Sequence, residues 1–228
     1  MVATPNPSEE GHILYIDYKG KKYRWTYDPA TLPDLTSFCN FGDSPIVPVV
    51  LSAQEQRWWK VSTPIAHGRY GYHRRLTKGG SLPIIKLAND EPESRTLIEK
   101  EFINLKHCRS LGLPVPCFSD EPLRDDDQSI MGIRMAELIP IPWHGPNGMR
   151  SQMPLLEGLV WAMHKQGIAH NDISESNVMW TNHRTINIID LSHATLIDPL
   201  NFLNDTACDV KNLRKVYERS VRSKRRSS

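Results

Sequence analysis

The stretch GIAHNDISESNVMW (residues 167–180), followed after a turn-like TNHRT by INIIDLSHA (residues 186–194), decides how this chain of 228 residues is read. His170, Asp172 and Asn177 fall in the pattern H-x-D-x-x-x-x-N, and 13 residues beyond Asn177 an apolar strand, Ile186–Ile189, ends in Asp190. Taken singly these residues would be turn formers and caps, with Asp172 and Asn177 closing turns and Asp190 capping a following helix. Their order and spacing, between an apolar helix and an apolar strand, favour a catalytic or ligand site.

The surroundings are read outward from that stretch. Met153, Leu156, Leu159, Val160 and Met163 recur at three- and four-residue steps and predict a helix over 149–166. Before it come a Pro/Gly-rich link, IPIPWHGPNG, and two expected strands at 113–117 (LPVPC) and 129–139 (SIMGIRMAELI). EPESRTLIEKEFINLKHCRSLG (91–112) reads as a helix: Leu97, Phe102, Leu105 and Cys108 share a face, acidic residues crowd its start and Gly112 stops it. Strands are expected around Trp58–Ser62, Tyr70–Leu76 and Leu82–Ala88, the last two joined by a Lys-Gly-Gly-Ser turn at 78–81. Residues 29–50, with Pro29, Pro33, Pro45 and Pro48, form an irregular connector. Residues 12–28 predict a hairpin turning near Gly20, with Tyr23, Trp25 and Tyr27 alternating along one strand. Basic residues interleaved with aromatics can also serve single-stranded nucleic acid, but a strand with one buried face explains the alternation more cheaply. The first ten residues are polar and Pro-rich and are expected to be disordered.

The loop and the strand ending in Asp resemble the catalytic core of the protein-kinase-like superfamily, with its H-R-D loop and D-F-G segment. The resemblance implies phosphoryl transfer from ATP, in which positioning and charge neutralisation dominate. It implies Asp172 as the carboxylate that orients the acceptor hydroxyl, with Asn177 and Asp190 as oxygen ligands of Mg²⁺ (or Mn²⁺). Lys86 in PIIKLA resembles the strand lysine that holds the α- and β-phosphates; otherwise it is a surface strand lysine. Glu99 and Glu101 are its possible partners on the next helix. Glu101 is preferred, because Leu105 gives it the Glu-then-Leu-at-plus-four pattern of the superfamily. Gly68 and Gly71 in HGRYGYHRRL stand where a phosphate-cradling glycine loop is expected, with Arg69 adding charge, although an ordinary turn needs the same glycines. Glu137 and Leu138 in MAELIP resemble the hinge whose backbone meets adenine. His164 and His170 are read as structural braces, and Asp209 in CDVKNLRKVY as the acidic residue that opens the next long helix and braces the catalytic loop.

Four departures limit the resemblance. Asn171 replaces the Arg of H-R-D, so a phosphorylated activation loop has no cationic partner. Ser174 stands where protein kinases of the Ser/Thr class carry Lys. Asp190-Leu191-Ser192 replaces D-F-G. No A-P-E follows, and only 38 residues lie beyond Asp190. Compact members without H-R-D include small-molecule kinases, KEOPS-type small kinases and fungal kinase-like proteins, and the chain resembles the last group most.

Composition bounds the function classes. The net charge of +2, from 28 Lys+Arg against 26 Asp+Glu, argues against a dedicated nucleic-acid binder. With 24% charged and 39% hydrophobic residues, the chain reads as soluble and globular. No apolar stretch approaches the roughly 18 residues of a membrane helix, so no membrane partner is expected. The start, MVATPNPSEEGH, lacks the pattern of a secretory signal. Cys39, Cys108, Cys117 and Cys208 form no C-x-x-C pair, which fits reduced thiols in a cytoplasmic protein, and the nine histidines form no zinc-binding pattern. The tail VRSKRRSS reads as a solvated end; read as an address, it points to the nucleus.

The expectation is therefore an α+β, two-lobed protein-kinase-like fold with an antiparallel-sheet N-lobe and a truncated, mainly helical C-lobe. Its segments are a disordered N-terminus (1–10), an N-lobe with an N-terminal β extension (11–138), a short C-lobe (139–220) and a basic tail (221–228). The expected activity is ATP- and Mg²⁺-dependent transfer of the γ-phosphoryl group to a hydroxyl on a protein or small molecule. The alternative is a pseudokinase acting as a nucleotide-binding or scaffold module.

Overall fold

A computed structural model describes residues 5–8, 11–18, 21–27, 46–68, 70–142, 148–181 and 185–222. The chain divides into two compact units, Met1–Arg95 with Glu121–Arg134, and Thr96–Asp120 with Met135–Ser228. The first is built on antiparallel sheets; the second holds most of the helix.

In the first unit, β1 (Pro5–Ser8), β2 (Gly11–Tyr18), β3 (Lys21–Tyr27) and β4 (Ile46–Pro48) make one antiparallel sheet in chain order. The expected hairpin at 12–28 is β2–β3, with His12 opposite Tyr27 and Tyr18 opposite Lys21. Within the first ten residues, for which disorder was expected, Pro5–Ser8 instead form a strand on β2: a main-chain ladder needs no apolar side chains to form. Most of the connector at 29–50 lies outside the described residues, and its end is β4. On β3 the alternation buries Trp25, but the opposite face is not solvated throughout: Lys22 is buried beside Trp59 and Tyr72.

Residues expected to open a strand at Trp58 belong to α1 (Ala53–Lys60), and extended chain begins only at β5 (Ser62–Gly68). The reason is a local cap. Ser52 Oγ accepts from Glu55 N at 3.0 Å, the first half of an S-x-x-E capping box, and this outweighs the strand preference of Trp58 and Trp59. β5, β6 (Gly71–Leu76), β7 (Ile84–Ala88), β8 (Leu123–Arg124) and β9 (Ile130–Met135) form a second sheet in the order β5-β6-β7-β9-β8. All five residues of the central strand β7 are buried. Leu51, Trp59, Tyr72, Leu76, Ile85, Leu87, Leu123 and Met131 cluster into its core, each large side chain contributing about 1.5–3 kcal/mol relative to exposure. Arg74 is buried there with compensation, its guanidinium 3.7 Å from the Trp59 ring centre and donating to Ser62 Oγ at 2.9 Å.

α2 (Pro92–Ser110) ends near Gly112, whose φ of +71° suits glycine at a helix stop. Its buried face is Ile98, Glu101, Phe102, Leu105 and Cys108; Ile98 takes the place expected for Leu97, which is half-buried. Residues 113–117 form no strand, because Pro114 and Pro116 each remove a main-chain donor, and pairing begins with a single bridge between Phe118 and Met135. The strand expected at 129–139 is split: β9 stops at Met135, and β10 (Ile139–Pro140) joins a different sheet with β12 (Val178–Trp180) and β13 (Ile186–Ile188). α3 (Met149–Lys165) buries the predicted Met153, Leu156, Leu159, Val160 and Met163. β11 (Ile168–Ala169) pairs antiparallel with β14 (Thr195–Leu196), and α4 spans Phe202–Arg222. The end of the basic tail, 223–228, lies outside the described residues, and so does Cys39. Among the described helices none is long and apolar enough to cross a membrane.

Candidate active site

The second unit brings Asp172, Asn177 and Asp190 together around the loop that joins β11 to β12. The loop closes in a single 3-10 turn, Glu175–Asn177. From that turn the buried Asn177 donates through Nδ2 to both Asp172 O and Asp172 Oδ2, each at 2.9 Å. The main-chain oxygen of Asn177 accepts from Ile189 N at 2.8 Å, and the Ile189 oxygen meets His170 Nε2 at 3.0 Å. The loop therefore grips both peptide groups of the residue that precedes Asp190.

His170 has no exposed surface. Its Nε2 faces a carbonyl oxygen, and its Nδ1 faces Asp172 N at 3.2 Å, so the ring donates from Nε2 and accepts at Nδ1. That arrangement needs neutral imidazole. Burial lowers the pKa of His170 and holds it in that form. His170 is thus a brace, as expected from the sequence.

Beneath the loop lies Asp209, fully buried, which accepts from His164 Nε2 at 2.9 Å and from the main-chain N–H groups of His170 and Asn171, both at 2.7 Å. The expectation that Asp209 braces the loop describes what it does. Its place differs, however. α4 begins seven residues earlier, at Phe202, behind a turn in which Asp198 Oδ1 accepts from Leu200 N, so Asp209 is an interior helix residue.

Asn171 and Asp190 both adopt left-handed backbone, with φ of 68° and 63°. Asparagine and aspartate tolerate this conformation better than most residues. Strain of this kind is retained where the surroundings fix it. At Asp190 the fixing includes Ser192 Oγ, which donates to Asp190 Oδ1 at 2.8 Å.

The other sequence-predicted residues are distributed over both units. In the first, Gly68 and Gly71 are register partners at the ends of β5 and β6, and Arg69 lies outside the described residues. A Cβ at Gly71 would sit 2.5 Å from Leu87 O, so the close approach of β6 to β7 accounts for that glycine by itself. Lys86 is a buried residue of β7. In the second unit Glu101 is 2% exposed, whereas Glu99 on the same helix is exposed. Glu137 is exposed and Leu138 half-buried, in the irregular link from β9 to β10. Two residues that contact the Asp190 segment were not found from the sequence: Asn104, and the side chain of Asn171.

Asn177 and Asp190 suit a hard divalent cation. With the Asn177 nitrogen committed to Asp172, its carbonyl oxygen is the atom left for a ligand, and Asp190 adds a carboxylate. Among the described residues no group of three or more His, Cys, Asp or Glu could hold a metal on its own.

Residues 131–227 match the family model of the RIO domain, a stretch that contains Glu137, Leu138, Asp172, Asn177, Asp190 and Asp209. The RIO domain is an atypical protein-kinase-like family of ATP-binding phosphotransferases, and the chain has the protein-kinase-like fold. No curated protein matches the chain.

Proposed function

We propose that this chain is an ATP-dependent phosphotransferase that moves the γ-phosphoryl group to a hydroxyl on a protein or small molecule. The observation that carries the reading is the double grip of Asn177 Nδ2 on Asp172, combined with the hold of Asn177 O on the residue before Asp190. One asparagine thereby fixes the separation between a carboxylate for the acceptor and a carboxylate for the nucleotide.

In the proposed mechanism Asp172 Oδ2 is engaged by Asn177, and Oδ1 receives the hydrogen bond of the acceptor hydroxyl. As the acceptor oxygen bonds to the γ-phosphorus, the bond from that phosphorus to the β,γ-bridging oxygen breaks, ADP leaves with the electron pair, and the hydroxyl proton passes to Asp172 and later to solvent. Asn177 Oδ1 and Asp190 hold Mg²⁺ (or Mn²⁺), which when bound neutralises phosphate charge. Lys86 and Glu101 take the roles that the superfamily resemblance gives them, and Glu137 and Leu138 meet adenine through their backbone. His170, neutral and buried, keeps Asp172 N in place and takes no proton.

A second reading has one observation behind it. Because sheet packing alone explains Gly71, no phosphate cradle is needed to account for that glycine, which suits a scaffold that binds nucleotide without turnover. Thermal stabilisation by ATP with Mg²⁺, lost in Asp190→Asn, is expected under both readings. ATP turnover lost in Asp172→Asn is expected only for the enzyme.

A further inference from the structure

We propose that Asn104 and Asn171 are positioning residues, a pair of neutral amides that clamp the segment after Asp190 and hold this carboxylate ready without phosphorylation. The inference rests on the reading of Asp190 as a metal-binding group.

After Asp190 the chain makes one 3-10 turn, Leu191–His193, and enters β14. Two side chains from separate elements hold it. Asn104, on α2, donates through Nδ2 to Leu191 O at 2.8 Å and Ala194 O at 3.2 Å. Asn171, in the catalytic loop, donates through Nδ2 to His193 O at 3.0 Å and Thr195 Oγ1 at 2.9 Å. A carboxamide nitrogen has two hydrogens, and each asparagine spends both on this segment. Three of the four carbonyls from 191 to 194 are bound in this way.

Each amide is itself fixed. The main chain of Asn171 is tied to α4, through its N–H to Asp209 Oδ1 and through its oxygen to Cys208 Sγ at 3.2 Å. Asn104 lies three residues beyond Glu101, one turn along the same helix face. The clamp therefore joins α2, the residue next to Asp172, and the segment that begins at Asp190.

The chemistry sets this device apart from an ionic latch. An arginine at position 171 would place a charge beside the segment and could also bind an anion such as a phosphorylated side chain. A carboxamide binds carbonyl and hydroxyl oxygens directly, carries no charge and does not titrate. Added salt leaves such contacts in place, because there is no charge to screen.

The test uses the full chain with Asn104→Asp, which keeps size but cannot donate, and Asn171→Gly, which keeps the left-handed backbone and removes the amide. Hydrogen–deuterium exchange over 191–196 is measured first, since it reads the clamp without catalysis. Each variant is expected to exchange about tenfold faster there, from the loss of two hydrogen bonds, while α3 stays as protected as in the unaltered protein. The Mg²⁺ concentration for half-maximal turnover is expected to rise by a similar factor, with kcat at saturating Mg²⁺ changed less. Phosphatase treatment of the unaltered protein is expected to leave turnover as it was. Should Asn171→Gly fail to fold, Thr195→Val removes one acceptor of the same amide at an exposed position. Unchanged exchange overturns the clamp. Faster exchange with an unaltered Mg²⁺ dependence overturns its positioning role. Absence of turnover in the unaltered protein contradicts the functional reading alone, and hydrogen exchange then still decides the clamp.

Discussion

Asn177 donates through a single nitrogen to both the main-chain oxygen and the carboxylate of Asp172, at 2.9 Å each. An amide nitrogen engaged twice cannot turn away, so its carbonyl oxygen faces a fixed direction. Asn177→Asp would set a second carboxylate against Asp172 Oδ2. This variant is expected to lose turnover by about 10²–10⁴-fold, the range for disabling a positioned proton acceptor, while retaining its fold. Steady-state kinetics alongside circular dichroism checks both parts.

Asp209 is the buried anion on which the loop sits, and it satisfies three donors. Asp209→Ala leaves the His170 and Asn171 N–H groups and His164 Nε2 without their acceptor. A loss of about 3–5 kcal/mol is expected, as for breaking a buried pair, and denaturant unfolding would measure it.

The burial of Glu101 beside the exposure of Glu99 yields a comparison of neighbours. Glu101→Gln is expected to reduce kcat/KM for ATP by tenfold or more, and Glu99→Gln to stay within about twofold, since surface substitutions are close to neutral. Equal losses in the two variants would show that burial is not the distinguishing property.

In the first unit, burial and then the charge of Lys22 push the pKa of His67 down to about 4 from 6.5. Between those values the unfolded chain binds a proton that the folded chain does not, so stability rises with pH across this window. The contribution is complete above pH 6.5 and is lost as pH falls towards 4. Burial likewise takes Lys22 from 10.5 to about 8, which adds a second rise between those values. His67→Phe keeps the ring contact with Tyr72, whose centre is 4.5 Å away, and is expected to flatten the acid limb of the curve. Urea midpoints at pH 4.5 and 7 test this.

The loop that joins β11 to β12 was legible because its information is local. The spacings of residues 170, 172, 177 and 190 are carried by one loop and one hairpin, and the periodicity of α3 belongs to one helix. Local signals also misled. Trp58 and Trp59 have strand-like side chains, but Ser52 and Glu55 start a helix ahead of them. Ile98, four and seven residues before Phe102 and Leu105, fits the helical period of α2 better than Leu97, five residues before Phe102, and Ile98 is the one that is buried. The asparagine clamp was out of reach, since Asn104 meets a carbonyl 87 residues away and no spacing encodes such a contact. The motif identified the protein-kinase-like superfamily; the RIO domain match rests on the longer stretch 131–227.

The most direct measurement is ³¹P NMR of ATP with Mg²⁺ and the unaltered protein, beside Asp172→Asn and Asp190→Asn. The account predicts consumption of the γ-phosphate signal by the unaltered protein and loss of that turnover, by at least about 10²-fold, in both variants. Turnover that persists in Asp172→Asn, or an unaltered protein that consumes no ATP with any hydroxyl acceptor, would contradict it.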